Sequence, residues 1–267
     1  MSNQNDAGKI TIERLSVTYC SGGRTTRAVR GCSFGIPKGG IVGLVGESGS
    51  GKTSALMAIP GLLPTGTLVT GRVSCDGTNL AELKEEELAA WRWRRIALVP
   101  QGAMNSFTPH LTIGRHITEV LSHHLKMPIK AGRERAAELL ETSGLDGFLQ
   151  ARYPHELSGG QKQRAALALA LACEPDFLLA DEPTTALDVI TQKEVLDTIV
   201  KIVRGRGMGL LLVTHDLPLA AGICDELIVM KDGEIAESGP ARQVSGNPQQ
   251  PYTKLLIDAI REMDVAR

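Results

Sequence analysis

The residues with the clearest capacity for chemistry form one glycine-rich stretch, Gly46-Glu47-Ser48-Gly49-Ser50-Gly51-Lys52-Thr53. It fits the pattern G-x-x-x-x-G-K-[ST], whose backbone N–H groups cradle the phosphates of a nucleotide. Glycines let the backbone curl around an anion without Cβ atoms in the way. Lys52 would bring a positive charge to the outer phosphates, and the Thr53 hydroxyl would ligate Mg²⁺. The stretch therefore predicts a nucleoside triphosphate site, here called the P-loop.

The flanks of the P-loop supply the elements that must position it. Residues 41–45 are apolar and predict a buried strand, and residues 54–59 predict a helix that ends before Pro60-Gly61. The order of strand, glycine loop and helix argues against the alternative, a glycine-rich turn that matches the pattern by chance. The helix start would add unsatisfied donors and the positive end of its dipole. The predicted nucleotide-binding residues of this stretch are Gly46, Ser48, Gly49, Ser50, Gly51, Lys52, Thr53 and Ser54.

The composition is that of a globular protein with no dominant charge. Of 267 residues, 42% are hydrophobic and 22% charged, with 29 basic residues against 30 acidic ones. This balance argues against wholesale nucleic-acid binding. The five cysteines are scattered without a C-x-x-C pair, which argues against a zinc site or a disulfide framework and fits a reducing cytosol.

The sequence predicts no membrane span. The most apolar stretch, residues 165–173, is broken by Glu174 and Pro175 well short of the length that a bilayer needs. Residues 1–6 are polar and lack the apolar core of a signal peptide. If the protein works at a membrane, other subunits are expected to hold it there.

Two adjacent carboxylates follow the apolar run at residues 177–180, namely Asp181 and Glu182. Ligands of open parallel sheets bind at the carboxyl ends of the strands. Asp181 suits the organisation of Mg²⁺, and Glu182 suits the orientation or deprotonation of an attacking water. Strand ends also carry acids that are merely solvated, but a P-loop in the same chain favours the functional interpretation.

Two other segments could contact phosphates. Residues 209–213 predict a strand that ends at Thr214-His215, which makes His215 a candidate γ-phosphate contact at the same sheet edge. Leu157-Ser158-Gly159-Gly160-Gln161 precedes an alanine–leucine run. Ser158 is a plausible N-cap, and the two glycines would leave the donors of the first helical turn unobstructed. A simple capped helix is the alternative.

The remaining patterns are weaker. Residues 10–19 and 28–34 predict an antiparallel hairpin whose first strand ends at Tyr19. The Tyr19 ring could stack on adenine, or it could be an ordinary strand aromatic, and the sequence favours neither. Gln101 follows a predicted strand at residues 95–99 and is unremarkable alone. Residues 112–150 look helical, and Asp232-Gly233 predicts a second hairpin.

Together these motifs resemble the ATP-binding-cassette ATPases, and they occur in that family's order over nearly the whole chain. GESGSGKT resembles the Walker A motif, LSGGQ at residues 157–161 the signature motif, and FLLADE at residues 177–182 Walker B with the catalytic glutamate. The single-residue matches are Gln101 to the Q-loop, Asp188 (in Ala186-Leu187-Asp188) to the D-loop, His215 to the switch histidine and Tyr19 to the adenine-stacking aromatic.

The resemblance implies an α/β fold with a P-loop NTPase core, an antiparallel β part and an inserted helical lobe at roughly residues 102–165. The ATPase domain would span residues 9–245, followed by a tail at 246–267. Two such chains pair head to tail, with ATP between the Walker A motif of one and the LSGGQ of the other. The nucleotide-binding set then also contains Ser158, Gly159, Gly160, Gln161, Asp188 and Tyr19.

The resemblance also implies roles in ATP hydrolysis. Thr53, Gln101 and Asp181 would organise Mg²⁺, and Lys52 would bind phosphates. Glu182 would polarise water, with His215 sensing the γ-phosphate. A regulatory module without turnover would lack the glutamate or the histidine, and this chain has both.

Residues 100–109 and 247–256 resemble the Q-loop region and the tail of the dipeptide, oligopeptide and nickel importers. The implied protein is the ATPase subunit of an importer of peptides or of nickel and metal chelates, peripheral on the cytoplasmic face of the membrane. Its implied partners are a second, usually different, ATPase chain, two permeases and, indirectly, an extracytoplasmic solute-binding protein, with no nucleic acid. The alternative is a soluble cassette acting on nucleic acid or ribosomes, which commonly has two cassettes or a coiled-coil insertion; neither is present.

Overall fold

The structure is a computed structural model that describes residues 8–265. The chain divides into two compact units, one made of the residues up to Lys84 and from Leu210 onward, the other of Glu85–Gly209. The predicted helical lobe at residues 102–165 falls within the second unit. Residues 1–6, on which the prediction about a signal peptide was made, lie outside the described residues.

Within residues 8–265 the chain forms ten strands, β1 (Lys9–Ser21), β2 (Arg24–Pro37), β3 (Ile41–Val45), β4 (Leu68–Cys75), β5 (Thr78–Asn79), β6 (Ile96–Val99), β7 (Phe177–Asp181), β8 (Gly209–Thr214), β9 (Glu226–Lys231) and β10 (Glu234–Pro240). The same residues form nine α-helices, α1 (Lys52–Ala58), α2 (Glu85–Trp91), α3 (Ile113–Leu125), α4 (Ile129–Thr142), α5 (Gly159–Ala170), α6 (Val189–Arg206), α7 (Leu217–Ile223), α8 (Ala241–Gly246) and α9 (Pro251–Val265). None of these helices combines the length and apolarity that a bilayer crossing needs.

The first unit contains an antiparallel sheet with the strand order β2-β1-β4-β5. The hairpin predicted from residues 10–34 is confirmed, since β1 pairs with β2 in a register that places Ile12 opposite Phe34 and Tyr19 opposite Thr26. The apolar side chains of β1 that alternate along its first part are buried, including Ile10 and Ile12. This alternation of buried and exposed side chains is the pattern from which the strand was predicted.

A second group of strands in the first unit has the order β10-β9-β3-β8. β3 pairs in parallel with both β8 and β9, and all five of its residues are buried. Strands buried on both faces are continuous apolar runs, which is why residues 41–45 were recognisable. The hairpin predicted at Asp232-Gly233 is confirmed: β9 and β10 are antiparallel, and both turn residues have positive φ, 48° and 85°.

The second unit contains β6 and β7, which pair in parallel with Ile96 opposite Phe177. The helical prediction for residues 112–150 is confirmed in outline, but the region is two helices. α3 ends where Lys126 takes a left-handed conformation with φ 55°, and Pro128 precedes α4. Proline disfavours helical geometry in the residue before it, so the chain breaks at this point.

Gly43, in the middle of β3, lies where no side chain fits. A Cβ there would be 2.7 Å from Leu227 Cδ2 and 2.9 Å from Cys224 Sγ. The absence of a side chain at Gly43 therefore allows β9 and the end of α7 to approach β3 closely. Gly222, on exposed helical backbone in α7, has nothing within 4 Å of the position that a Cβ would take, so it is a matched control.

We predict that Gly43→Ala lowers the free energy of unfolding by about 1–3 kcal/mol, the usual cost of overpacking a core. Gly222→Ala should leave it unchanged or raise it by up to about 1 kcal/mol, because alanine favours helix over glycine. Urea unfolding of the purified chain measures both values. Equal stability of the two variants would contradict the packing argument.

Candidate functional site

The Lys52 side chain is buried against the P-loop that precedes it, with 5% of its surface exposed. Its Nζ donates to the backbone oxygens of Gly46 at 2.8 Å and of Glu47 at 2.7 Å. Burial of an ammonium group is costly unless its donors are bonded, and the loop carbonyls provide that bonding. The positive charge is thereby fixed inside the curve of the loop.

Two glycines bring the P-loop into close approach with neighbouring strands. Gly46 has φ 151°, and a Cβ there would lie 2.3 Å from the Met230 carbonyl oxygen; Gly51 has φ 100°, and a Cβ would lie 2.1 Å from the Ala28 carbonyl oxygen. Only glycine fits either position. Gly49, with φ 82°, has nothing within 4 Å of the position that a Cβ would take, so it differs from these two in having open space beside it.

The Tyr19 hydroxyl donates to Ser54 Oγ at 3.0 Å. The half-buried ring is therefore tied to α1, the helix that follows the P-loop. α1 begins at Lys52, two residues before the predicted start, and no side chain caps it. Thr53, the predicted Mg²⁺ ligand of this helix, is exposed.

His215 and the P-loop leave the sheet of the first unit at one edge. β3 and β8 are parallel with Val45 opposite Thr214, and the P-loop follows the former as His215 follows the latter. His215 is exposed. The next residue, Asp216, caps α7 by accepting from the Leu219 N–H at 2.9 Å. This fixes the backbone on the C-terminal side of the histidine.

In the second unit, Asp181 is the last residue of β7 and Glu182 directly follows it, so both lie at the strand end as predicted, and they differ in environment. Asp181 is fully buried, with 0% of its surface exposed. Glu182 has φ 45°, a left-handed conformation that is unusual for a glutamate. Such strain is found at functional sites where surrounding contacts maintain it.

The Glu182 carboxylate accepts hydrogen bonds from Gln101 and Thr185. Its Oε2 accepts from Gln101 Nε2 at 3.1 Å and from Thr185 Oγ1 at 2.9 Å. β6 and β7 are parallel with Val99 opposite Ala180, so Gln101 and Glu182 lie at the same end of this strand pair. Because the amide nitrogen of Gln101 donates to Glu182, its amide oxygen, Oε1, is the atom that could bind a cation. Thr185 was missed by sequence reasoning; a hydroxyl three residues beyond the glutamate was the available signal.

Ser158 is the N-cap of α5, as predicted. Its Oγ accepts from Gln161 N at 3.3 Å, and Gln161 Oε1 accepts from Ser158 N at 2.9 Å. This reciprocal pair is a capping box, and it places the Gln161 side chain back over its own helix start. The N–H groups of Gly159 and Gly160 belong to the first turn, where helices have unpaired donors.

Asp188 caps α6 in the same unit. Its carboxylate accepts from Thr191 Oγ1 at 2.6 Å and from Thr191 N at 3.0 Å. The hydrogen bond from the Thr191 hydroxyl, followed by that from the Thr191 N–H, lowers the pKa of Asp188. A Cβ on Gly160 would lie 2.5 Å from Thr191 Cγ2, so the starts of α5 and α6 are in direct contact. Neither this contact nor the capping role of Asp188 was part of the sequence prediction.

A family model described as ABC transporter matches residues 29–185. The chain belongs to the ABC transporter family. The dipeptide transport ATP-binding protein DppD of Bacillus subtilis is 38% identical over 260 residues, which are 96% of this chain and 78% of that protein. The oligopeptide transport ATP-binding protein OppD of Mycobacterium tuberculosis is 39% identical over 97% of this chain, which spans 43% of OppD.

A solved structure of similar fold is a dimeric ATP-binding cassette in a post-hydrolysis state, bound to ADP and Pi. It has a TM-score of 0.78 and 32% sequence identity, and the match covers 87% of this chain and 99% of that one. The α/β fold of this chain is thus the P-loop ATPase fold of the ABC transporter family. The chain binds ATP and is an ATPase.

We predict that Gly160→Ala lowers the free energy of unfolding by about 1–3 kcal/mol, because its Cβ overlaps the Thr191 methyl group. The double variant Gly160→Ala/Thr191→Ser should recover most of the loss, since serine lacks that methyl but keeps the hydroxyl bonded to Asp188. Gly159→Ala is the control, because its Cβ would be 3.3 Å from Leu187 Cδ2. Chemical denaturation measures all three, and no recovery in the double variant would show that the contact is not the cause.

Proposed function

We propose that this chain is the ATP-hydrolysing subunit of an importer that moves peptides across the cytoplasmic membrane. The observation that carries the proposal is the likeness, over almost the entire chain, to ATP-binding proteins of dipeptide and oligopeptide transport. Peptides are therefore the proposed cargo. Nickel or metal chelates, which sequence resemblance left open, are the alternative cargo, and the molecule carried by a co-purified binding protein decides between them.

The proposed assembly contains a second ABC ATPase subunit, a different chain, paired head to tail with this one. The dimeric state of the solved cassette supports this pairing. We place the pair at the cytoplasmic face of the membrane beneath two permease subunits, with an extracytoplasmic solute-binding protein delivering cargo. The exposed starts of α5 and α6, with Ser158–Gln161 and Asp188, would face the nucleotide carried by the partner.

Within this chain the P-loop N–H groups and Lys52 bind the phosphates of ATP, and the Tyr19 ring stacks on adenine. Thr53, Gln101 and Asp181 supply hydroxyl, amide and carboxylate oxygens, a donor set that fits Mg²⁺. The bound ion would neutralise charge on the phosphates. The burial of Asp181 favours this role, because a buried carboxylate is stabilised by a cation.

Glu182 is the proposed general base. Its carboxylate, oriented by Gln101 and Thr185, accepts a proton from the water that attacks the γ-phosphate, and His215 donates a hydrogen bond to that phosphate. A carboxylate held by two donors needs little reorganisation when the water arrives. The left-handed backbone at Glu182 gives its side chain a different direction from the one that a continued β7 strand would give it.

The test uses Glu182→Gln, expressed in its native host and purified from membranes with Mg·ATP. We expect ATP binding to persist while hydrolysis falls by about 10²–10⁴-fold, the usual size of general-base effects. Two permeases, a second cassette chain and a solute-binding protein carrying peptides should co-purify. A binding protein that carries nickel or a metal chelate would change the cargo, and recovery with ribosomes or nucleic acid from the soluble fraction would overturn the transport proposal.

We predict that Thr185→Val lowers kcat for ATP hydrolysis by about 3- to 10-fold, because a hydrogen bond that orients Glu182 is lost. Thr185→Ser keeps the hydroxyl and should retain near-normal kcat. Steady-state hydrolysis by the assembled complex measures both, with the KM for ATP expected to stay unchanged. Equal kcat for the two variants would remove Thr185 from the orientation of Glu182.

A further inference from the structure

The loop that joins Gln101 to α3 is held against the first turn of that helix. Phe107, near the middle of the loop, is buried, with 7% of its surface exposed. Its ring meets the His116 ring edge to face, with the ring centres 5.2 Å apart and the planes at 84°. His116 belongs to α3 and is half-buried. The proposed chemistry assigns this histidine no role.

Both ring nitrogens of His116 are hydrogen-bonded to the backbone of the same loop. Nε2 accepts from the Thr108 N–H at 2.9 Å, and Nδ1 is 2.9 Å from the Thr112 carbonyl oxygen. Because a backbone N–H only donates and a carbonyl oxygen only accepts, the ring carries its proton on Nδ1 and a lone pair on Nε2. One imidazole therefore ties together the two ends of residues 108–112, where the loop enters α3.

A short turn connects this anchor to Gln101. The Asn105 N–H donates to the Gly102 carbonyl oxygen at 2.8 Å, and the Ser106 N–H donates to that of Ala103 at 3.0 Å. Such bonds restrict the backbone angles of a turn, so the position of its last residue restricts the position of its first. The side chain of Gln101 in turn donates to Glu182 Oε2 at 3.1 Å.

The turn has a second support, which provides the competing explanation. Met104 Sδ lies 3.4 Å from the position that a Cβ on Gly159 would take, so the turn also packs against the start of α5. Ala103 in the same turn is 1% exposed. If this packing alone determines where Gln101 lies, His116 contributes to stability and not to the reaction.

We propose that His116 is a positioning residue for ATP hydrolysis, which fixes the end of the loop that carries Gln101 and thereby the hydrogen bond from Gln101 to Glu182. The bond from Thr108 to Nε2 is the important one, because Thr108 is the bonded residue closer to Gln101 along the chain. This inference rests on the proposed roles of Gln101 and Glu182.

Two amide variants of His116 distinguish the explanations. Glutamine can place an acceptor near the position of Nε2, whereas the shorter asparagine reaches only that of Nδ1. Both lose the ring that packs on Phe107, so both should lower the free energy of unfolding. We expect His116→Asn to lower kcat for ATP hydrolysis by about 3- to 10-fold, the range for the loss of one hydrogen bond. His116→Gln should keep kcat within about twofold of the wild-type value.

Steady-state hydrolysis by the assembled complex measures these values. The KM for ATP should stay unchanged in both variants, because the interaction orients Glu182 and not the P-loop. His110→Asn, at an exposed histidine of the same loop, is the control and should leave kcat unchanged. Equal kcat for His116→Gln and His116→Asn, whether normal or lowered, would overturn the role of Nε2 and favour the explanation by stability.

Gln101→Ala tests the route and the function on which it rests. Added to Gln101→Ala, His116→Asn should lower kcat no further, and additive losses would overturn the route through Gln101. If Gln101→Ala lowers kcat and His116→Asn does not, the inference about His116 is wrong and the role of Gln101 survives. If Gln101→Ala itself keeps the wild-type kcat, the role of Gln101 fails and the inference falls with it.

Discussion

A buried ammonium group organises the nucleotide-binding part of the first unit. The Lys52 charge requires oxygen acceptors, and the backbone of Gly46 and Glu47 supplies them. Those carbonyls converge only because the loop curves tightly, and the curve requires glycine where Met230 and Ala28 press against it. The conformation of the loop is therefore determined as much by β2 and β9 as by its own residues. Strands far away in the sequence thus contribute to the conformation that the proposed phosphate binding requires.

The second unit places two carboxylates side by side, those of Asp181 and Glu182. Asp181 is enclosed, whereas Glu182 is turned aside by a left-handed backbone and held by an amide and a hydroxyl. Two neighbouring carboxylates thus have different surroundings, and the backbone conformation changes between them. Separation of environments is how one pair of acids can serve a metal and a proton transfer.

The sequence predicted those features that depend on local pattern. The strand before the P-loop, the carboxylates at the end of β7, the Ser158 cap and the Asp232-Gly233 turn each lie within a few residues of the signal that revealed them. The contacts of Thr185 and Thr191 were not predicted. That of Thr191 with Gly160 forms only when segments apart in the sequence fold together, and that of Thr185 with Glu182, three residues away, depends on how the chain turns after β7. The break between α3 and α4 was also missed, although Pro128 marked it; a long amphipathic pattern concealed the boundary.

The contact between Gly160 and Thr191 brings two separate sequence motifs together in the second unit. The Thr191 methyl group lies where a side chain on Gly160 would be, so the start of α5 and the start of α6 are closely packed. The Thr191 hydroxyl also donates to Asp188. A single threonine therefore contacts both motifs, and a substitution at this one position would alter the surroundings of each.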